Sequence, residues 1–194
     1  MKKILLLLAN GFEAVEASVF TDVLGWNKLE GDGTTEVVTA GIHPQLTCTW
    51  NFTVLPEKLV DELDLTEFDA LAIPGGFEEA GFYVDAYDER FLNVIRHFDD
   101  NHKPIASVCV AALSLGKSGI LKGKKATTYD HPTSIRRAQL QQYGALVQNE
   151  LVVEDGRIVT SANPATAFQV AFLLLEKLTS SSNTNKVKEL MGFI

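Results

Sequence analysis

The sequence predicts an α/β protein: a three-layer sandwich in which a mostly parallel sheet is covered by helices on both faces. Three observations predict it. A continuous apolar run at residues 4–8, and predominantly apolar segments at 69–73 and 104–108, read as strands buried on both faces. Between them lie segments with apolar residues at helical spacing. The 194 residues, 46% of them hydrophobic, suffice for a sizeable single core.

Residues 4–8 form the first run and stop at Asn10-Gly11. A helix follows over residues 13–29, where Val15, Val19, Phe20, Val23 and Leu24 recur along one face. Gly31-Asp32-Gly33 ends it, and β-branched residues at 35–40 give the second strand. The run at 69–73 leads into Pro74-Gly75-Gly76, where a tight turn frees backbone N–H groups. Helical patterns at 78–83 and 89–98 precede the strand at 104–108, which ends on Cys109; residues 110–115 are helical again. Residues 124–128 read as a short strand, and 133–143 as an amphipathic helix. Residues 151–160 have the turn chemistry of a β-hairpin around Asp155-Gly156. Pro164 opens a long apolar helix reaching residue 178. A polar serine stretch at 180–183 then reads as a flexible connection to a short helix at 185–190. One domain over residues 1–194, with a helical appendage at about 183–194, is the expected organisation.

Composition narrows the function. With 17 Lys and Arg against 25 Asp and Glu the net charge is −8, which disfavours nucleic acid and anionic membranes as partners. No segment approaches the roughly 18 apolar residues of a membrane span, and the apolar run after Met1-Lys2-Lys3 is too short for a secretion signal. Two cysteines, Cys48 and Cys109, make no disulfide framework, so a reducing cytoplasm is the expected location. Metal-ligand spacings and phosphate-binding glycine motifs are missing, so neither a metal nor a cofactor is expected.

In a sheet of this kind ligands bind outside the carboxyl ends of the strands. Cys109 stands there, flanked by the small residues Ser107 and Ala111, as a nucleophile on a sharp strand-to-helix turn requires. The dipole of the following helix is expected to lower the thiol pKa. A buried structural cysteine is the other reading of the same residue. Glu13 and Glu16 lie on the first turn of the first helix; the dipole alone accounts for Glu13. Glu16 falls among Val15, Val19 and Phe20, where a carboxyl is desolvated, stays protonated and can hydrogen-bond the Cys109 sulfur or move a proton. His131, before Pro132 at an expected helix start, is the candidate base; a turn residue is the alternative. His43, His97 and His102 stand in polar surroundings and receive no role. The N–H groups of Gly75, Gly76 and Val110 are candidate oxyanion donors. Phe12, Phe77 and Tyr129 are expected to shape the pocket.

Together, Gly11-Phe12-Glu13-Ala14-Val15-Glu16, Ile73-Pro74-Gly75-Gly76, Ala106-Ser107-Val108-Cys109-Val110-Ala111, Ala126-Thr127-Thr128 and residues 153–161 resemble the ThiJ/PfpI superfamily, and within it the DJ-one-like group. The resemblance implies a flavodoxin-like fold with the nucleophile elbow shared with class I glutamine amidotransferases. It makes Cys109 the reactive cysteine, Glu16 its hydrogen-bonding acid, and Gly76 with Val110 the backbone donors. It also implies a homodimer, with Trp50 or Phe52 as interface candidates. Protease-like members carry a histidine directly after the cysteine, where this chain has Val110. DJ-one-like members carry one directly after the Thr-Thr pair, where Tyr129-Asp130 intervene before His131, so either His131 or Tyr129 takes that place. The expected activity is therefore a cofactor-independent glyoxalase or deglycase acting on small reactive carbonyls. The alternative is a redox-sensing stress-response or chaperone-like protein working through Cys109 oxidation; an intracellular protease, amidase or hydratase ranks below both.

Overall fold

The computed structural model describes residues 1–194. In chain order the elements are β1 (Lys2–Leu8), α1 (Ala14–Glu30), β2 (Thr35–Gly41), β3 (Leu46–Thr47), β4 (Thr53–Val54), β5 (Lys58–Leu59), β6 (Ala70–Ile73), α2 (Phe82–Ala86), α3 (Glu89–Asp100), β7 (Ile105–Ser107), α4 (Ala112–Ser118), β8 (Lys125–Ala126), α5 (Arg136–Gln142), β9 (Leu146–Val147), β10 (Val152–Asp155), β11 (Ile158–Ser161), α6 (Ala167–Leu178) and α7 (Ser181–Leu190). The main sheet runs β10-β11-β7-β6-β1-β2-β5, and all its pairings are parallel except the β10–β11 hairpin. Helices α1, α6 and α7 pack together on one face, and α2 to α5 follow one another over the other. This is the α/β sandwich expected, with one continuous apolar cluster spanning sheet and helices.

Strand order places the site. From β1 the chain builds outward through β2 to β5, returns to β6, and builds the other way through β7 and β11. The switch falls between β1 and β6, where a crevice opens at the carboxyl ends. The loops leaving β1, β6 and β7 meet there. Thr35, Asn27 and Asp32 tie the first crossover: Asn27 Nδ2 donates to Thr35 Oγ1 and Asp32 Oδ1, both at 2.9 Å.

Several element boundaries differ from expectation, each for a local reason. The helix expected at 78–83 is split: a 3₁₀ turn at Glu78–Ala80 precedes α2, because Gly81 sits at φ +83°. After Cys109 the chain makes a 3₁₀ turn through Ala111 before α4, which Gly119 ends at φ +96°. The expected strand at 124–128 shrinks to β8, which pairs with β9 in a separate two-stranded sheet. The helix expected from residue 133 begins at Arg136, since the Thr133 and Ser134 N–H groups bond to His131 and form a turn. Ser180 is a helix cap, its hydroxyl accepting from Asn183 N–H at 3.2 Å, so α7 begins in the stretch read as flexible. Its Thr184 and Val187 are fully buried, and Asn183 Nδ2 donates to Asn27 Oδ1 at 2.6 Å. No helix is long and apolar enough to cross a membrane.

Candidate active site

Cys109 occupies the turn where β7 meets the 3₁₀ turn before α4, with a backbone φ of +55°. A non-glycine residue in the left-handed region is strained and is held there by its surroundings. The hold is visible: Val108 N–H donates to Ile73 O at 3.1 Å, and Thr128 Oγ1 donates to the Cys109 carbonyl at 3.0 Å. The residue is 5% exposed. Small neighbours permit the turn, as Ser107 and Ala111 lead one to expect.

Glu16, on the first turns of α1, is fully buried. Its Oε2 accepts from Gly75 N–H at 2.6 Å. Its Oε1 has no partner of full hydrogen-bond geometry, yet carboxyl and thiol are close enough to act on each other's titration as a side-chain hydrogen bond does. Burial pushes the Glu16 carboxyl from its ordinary value of 4.5 up to about 8, helped by the Glu13 charge; the Gly75 N–H and the thiol pull it down. Glu16 is thus buried as its neighbours Val19 and Phe20 lead one to expect, whereas Val15 beside it is exposed.

The thiol departs from expectation. Burial, followed by the Glu16 charge, pushes the Cys109 pKa well above its ordinary value; only the nearby Val110 N–H favours the anion. The helix dipole does not lower it overall, because α4 is two turns long and a 3₁₀ turn separates it from the sulfur. The proton therefore rests on sulfur until something removes it.

The glycines are explained by close approach. A Cβ on Gly76 would stand 2.2 Å from Gly11 O, and one on Gly75 would stand 3.0 Å from Glu16 Oε2. Phe12 and Gly76 form an antiparallel bridge, in which Glu13 N–H donates to Gly75 O at 2.8 Å and Phe77 N–H to Gly11 O at 3.3 Å. The bridge leaves the Gly76 N–H without a partner in the fold. Gly76 and Val110 both line the cavity that Cys109 opens into, whereas Gly75 N–H is taken by Glu16.

That cavity, of about 460 Å³, is also lined by Glu13, Phe77, Glu78, Glu79, Tyr129 and His131, and by Arg136 and Pro164. Tyr129 and His131 both reach it, their rings stacked with centroids 6.4 Å apart. His131 is exposed, and its Nδ1 lies 2.9 Å from Thr133 Oγ1. Expected at a helix start, it lies instead in the turn five residues before the first residue of α5, so no helix dipole acts on it. Phe12 is buried beneath the site rather than in the cavity wall. Arg136 escaped sequence reasoning: its Nη2 reaches Glu78 Oε2 at 2.6 Å and its guanidinium covers the Tyr83 ring at 5.0 Å. Nothing in the sequence joins residues 58 positions apart. Thr128, which holds the Cys109 carbonyl, was legible only as part of the Thr-Thr motif.

The DJ-1/PfpI family model matches residues 2–177. The chain belongs to the DJ-1/PfpI family. Protein DJ-1alpha of Drosophila melanogaster is 30% identical over 193 residues, covering 98% of this chain and 83% of that protein. Deglycase PfpI of Pyrococcus furiosus is 29% identical over 166 residues, covering 86% of this chain and 93% of its own. Among solved structures, Drosophila melanogaster DJ-1beta superposes with a TM-score of 0.85 at 26% identity, covering 98% of this chain and 97% of that one. Membership and fold accord with the resemblance drawn from the cysteine, glycine and Thr-Thr segments.

Proposed function

We propose that this chain is a cysteine-dependent enzyme that acts on small reactive carbonyls without a cofactor, in the manner of a glyoxalase or deglycase. One observation carries the reading: a fully buried carboxyl with one oxygen fixed by Gly75 N–H and the other without a partner, close enough to the Cys109 thiol for each to act on the other's titration, and pushed up to about 8 by burial. An acid poised there both gives and takes a proton near neutral pH. Family membership and the deglycase names of relatives such as that of Pyrococcus furiosus support it.

In this reading Glu16 carboxylate takes the thiol proton as sulfur attacks the aldehyde carbon, forming a carbon–sulfur bond. The carbonyl electron pair moves to oxygen, which the Gly76 and Val110 N–H groups receive. Proton transfer between the adjacent carbons through Glu16 then oxidises the aldehyde carbon and reduces its ketone neighbour, leaving a thioester. Water cleaves it to a 2-hydroxy acid and restores the thiol; methylglyoxal plus water gives lactate. His131 or Tyr129 faces the substrate across the cavity. Lactate formation from methylglyoxal by the wild type, and none by Cys109→Ala, is the expected result; equal rates in both refute the reading.

The unpartnered Glu16 Oε1, on a carboxyl that acts on the titration of the Cys109 thiol, also favours a second reading, oxidation sensing. Two equivalents of peroxide would take the thiol to sulfinic acid, releasing two waters, and Glu16 would hydrogen-bond the product. Addition of two oxygens at Cys109 before any change at Cys48 supports it; the reverse order removes it.

A homodimer completes the proposal. The exposed aromatics of the β3–β4 region divide, Trp50 stacking on Phe77 while Phe52 lines an apolar groove with Ala14, Ala17 and Ser18 of α1. A second copy of this chain on the Phe52 groove is the occupant we assign. Sedimentation at twice 21.2 kDa is expected, and a species of monomer mass alone contradicts it.

A further inference from the structure

Three enclosed side-chain oxygens at the carboxyl end of the sheet meet no hydrogen-bond partner in the protein: Glu16 Oε1, Ser161 Oγ and Asn163 Oδ1. Glu16 and Ser161 are fully buried. An enclosed polar atom left unpaired is costly, and protein interiors offset that cost with a fixed water where several such atoms converge.

The sheet register brings the three to one place. Leu6 pairs with Ala72, Ala72 with Ala106 and Ala106 with Val159, and laterally paired residues share a face. Leu6 lines one apolar groove with Ala14 and Ala17 of α1, so this is the face that α1 covers. Ser161, two residues after Val159, belongs to the same face. One step beyond the pairing of Thr160 with Ser107, Ser161 comes level with Val108, the residue before Cys109. Glu16 is anchored at that level: its Oε2 accepts from Gly75 N–H, and a Cβ on Gly75 would stand 3.0 Å from both Glu16 Oε2 and Val108 O.

Asn163 continues the alternation, its backbone extended at φ −164° and ψ 169°. Its carbonyl accepts from Thr166 N–H at 3.1 Å and Thr166 Oγ1 at 2.6 Å, and Pro164 beside it belongs to the Cys109 cavity wall. The turn is thus fixed, while the side-chain oxygen of Asn163 remains free of protein partners. Together the three groups have the donor and acceptor pattern that a water needs. Asn163 Oδ1 and an ionised Glu16 Oε1 accept its two hydrogens, and the Ser161 hydroxyl donates to its oxygen.

We propose that Ser161 and Asn163 are positioning residues that hold the hydrolytic water for Glu16. This rests on the carbonyl-enzyme reading above and assigns its last step. Glu16 carboxylate takes a proton from the held water as the water oxygen bonds to the thioester carbon. The carbon–sulfur bond then breaks, the 2-hydroxy acid leaves, and the sulfur regains its proton from Glu16. Acyl transfer to sulfur does not need the Ser161 hydroxyl, whereas release from sulfur does.

The two halves can be measured apart. p-Nitrophenyl acetate acetylates a reactive thiol with release of nitrophenolate, and the acetyl group on Cys109 is then followed by peptide mass as water removes it. In Ser161→Ala, acetylation should stay within about twofold of wild type while release slows about tenfold or more; Asn163→Ala should slow release likewise. Equal release rates in wild type and Ser161→Ala, or equal losses in both steps, overturn the proposal. So does a wild-type Cys109 that takes up no acetyl group or never loses it. On methylglyoxal, Ser161→Ala should accumulate a lactoyl thioester at Cys109 that wild type does not, with kcat and KM falling together; lactate formed at the wild-type rate overturns the positioning role. No lactate from wild type contradicts the carbonyl-enzyme reading, and the acetyl release rates then decide the water site on their own.

Discussion

The two walls of the cavity are made differently. On one side the loops leaving β1, β6 and β7 are locked by short backbone bonds, by apposed glycines and by a cysteine held at φ +55°. On the other, residues 129–135 form an exposed turn before α5, held by hydroxyl and ring contacts such as Thr133 with His131. The first wall uses the core as its frame, so its groups are held by buried backbone contacts. The second can change residues without disturbing the sheet. Chemistry that needs fixed geometry belongs on the first wall, and selection among substrates on the second and along its rim.

The largest effect should come from the locked wall. Cys109→Ala should abolish carbonyl turnover, and Glu16→Gln should lower kcat about a hundredfold or more, measured as lactate formed from methylglyoxal. If His131→Ala were as damaging as Glu16→Gln, the comparison would fail. Next, Gly76→Ala forces a methyl to within 2.2 Å of Gly11 O and should cost about 1–3 kcal/mol or more in denaturant unfolding, with activity falling too.

A third expectation concerns pH. The folded-state pKa of Glu16, about 8, lies above its ordinary 4.5, so the folded protein binds this proton more tightly than the unfolded chain. The associated stability is complete below pH 4.5, declines as pH rises from there, and is gone above about 8. Melting temperatures should fall over that window in wild type and less steeply in Glu16→Gln; parallel profiles would show that the carboxyl is not desolvated. The smallest effect is expected at His131→Ala, within about threefold of wild-type kcat/KM, because the ring is exposed and bonded only to its own turn.

The same contrast explains what was legible in the sequence. The central strands announce themselves by predominantly apolar runs, and the turn at Cys109 by the small residues around it, so the middle of the sheet and the loops that leave it could be placed from the sequence. Glu16 stood out because a carboxyl among Val15, Val19 and Phe20 conflicts with its neighbours. The two-residue strands β3, β4, β5 and β9 carry no periodicity and depend on tertiary pairing. Residues 133–135 followed an amphipathic pattern, but the side chain and carbonyl of His131 capture the local N–H groups first. Arg136 meets Glu78 and Tyr83 only through the fold. The thiol pKa was misread because local sequence shows a helix start and not the depth of burial that outweighs it.

Coupling between Glu16 and Cys109 is the claim on which the rest depends, and iodoacetamide alkylation of Cys109 followed against pH by peptide mass tests it directly. In wild type the inflection should lie above the free-thiol value of about 8.5, and Glu16→Gln should move it down by removing the neighbouring charge. An inflection well below that value in wild type, or one indifferent to Glu16→Gln, would contradict the account.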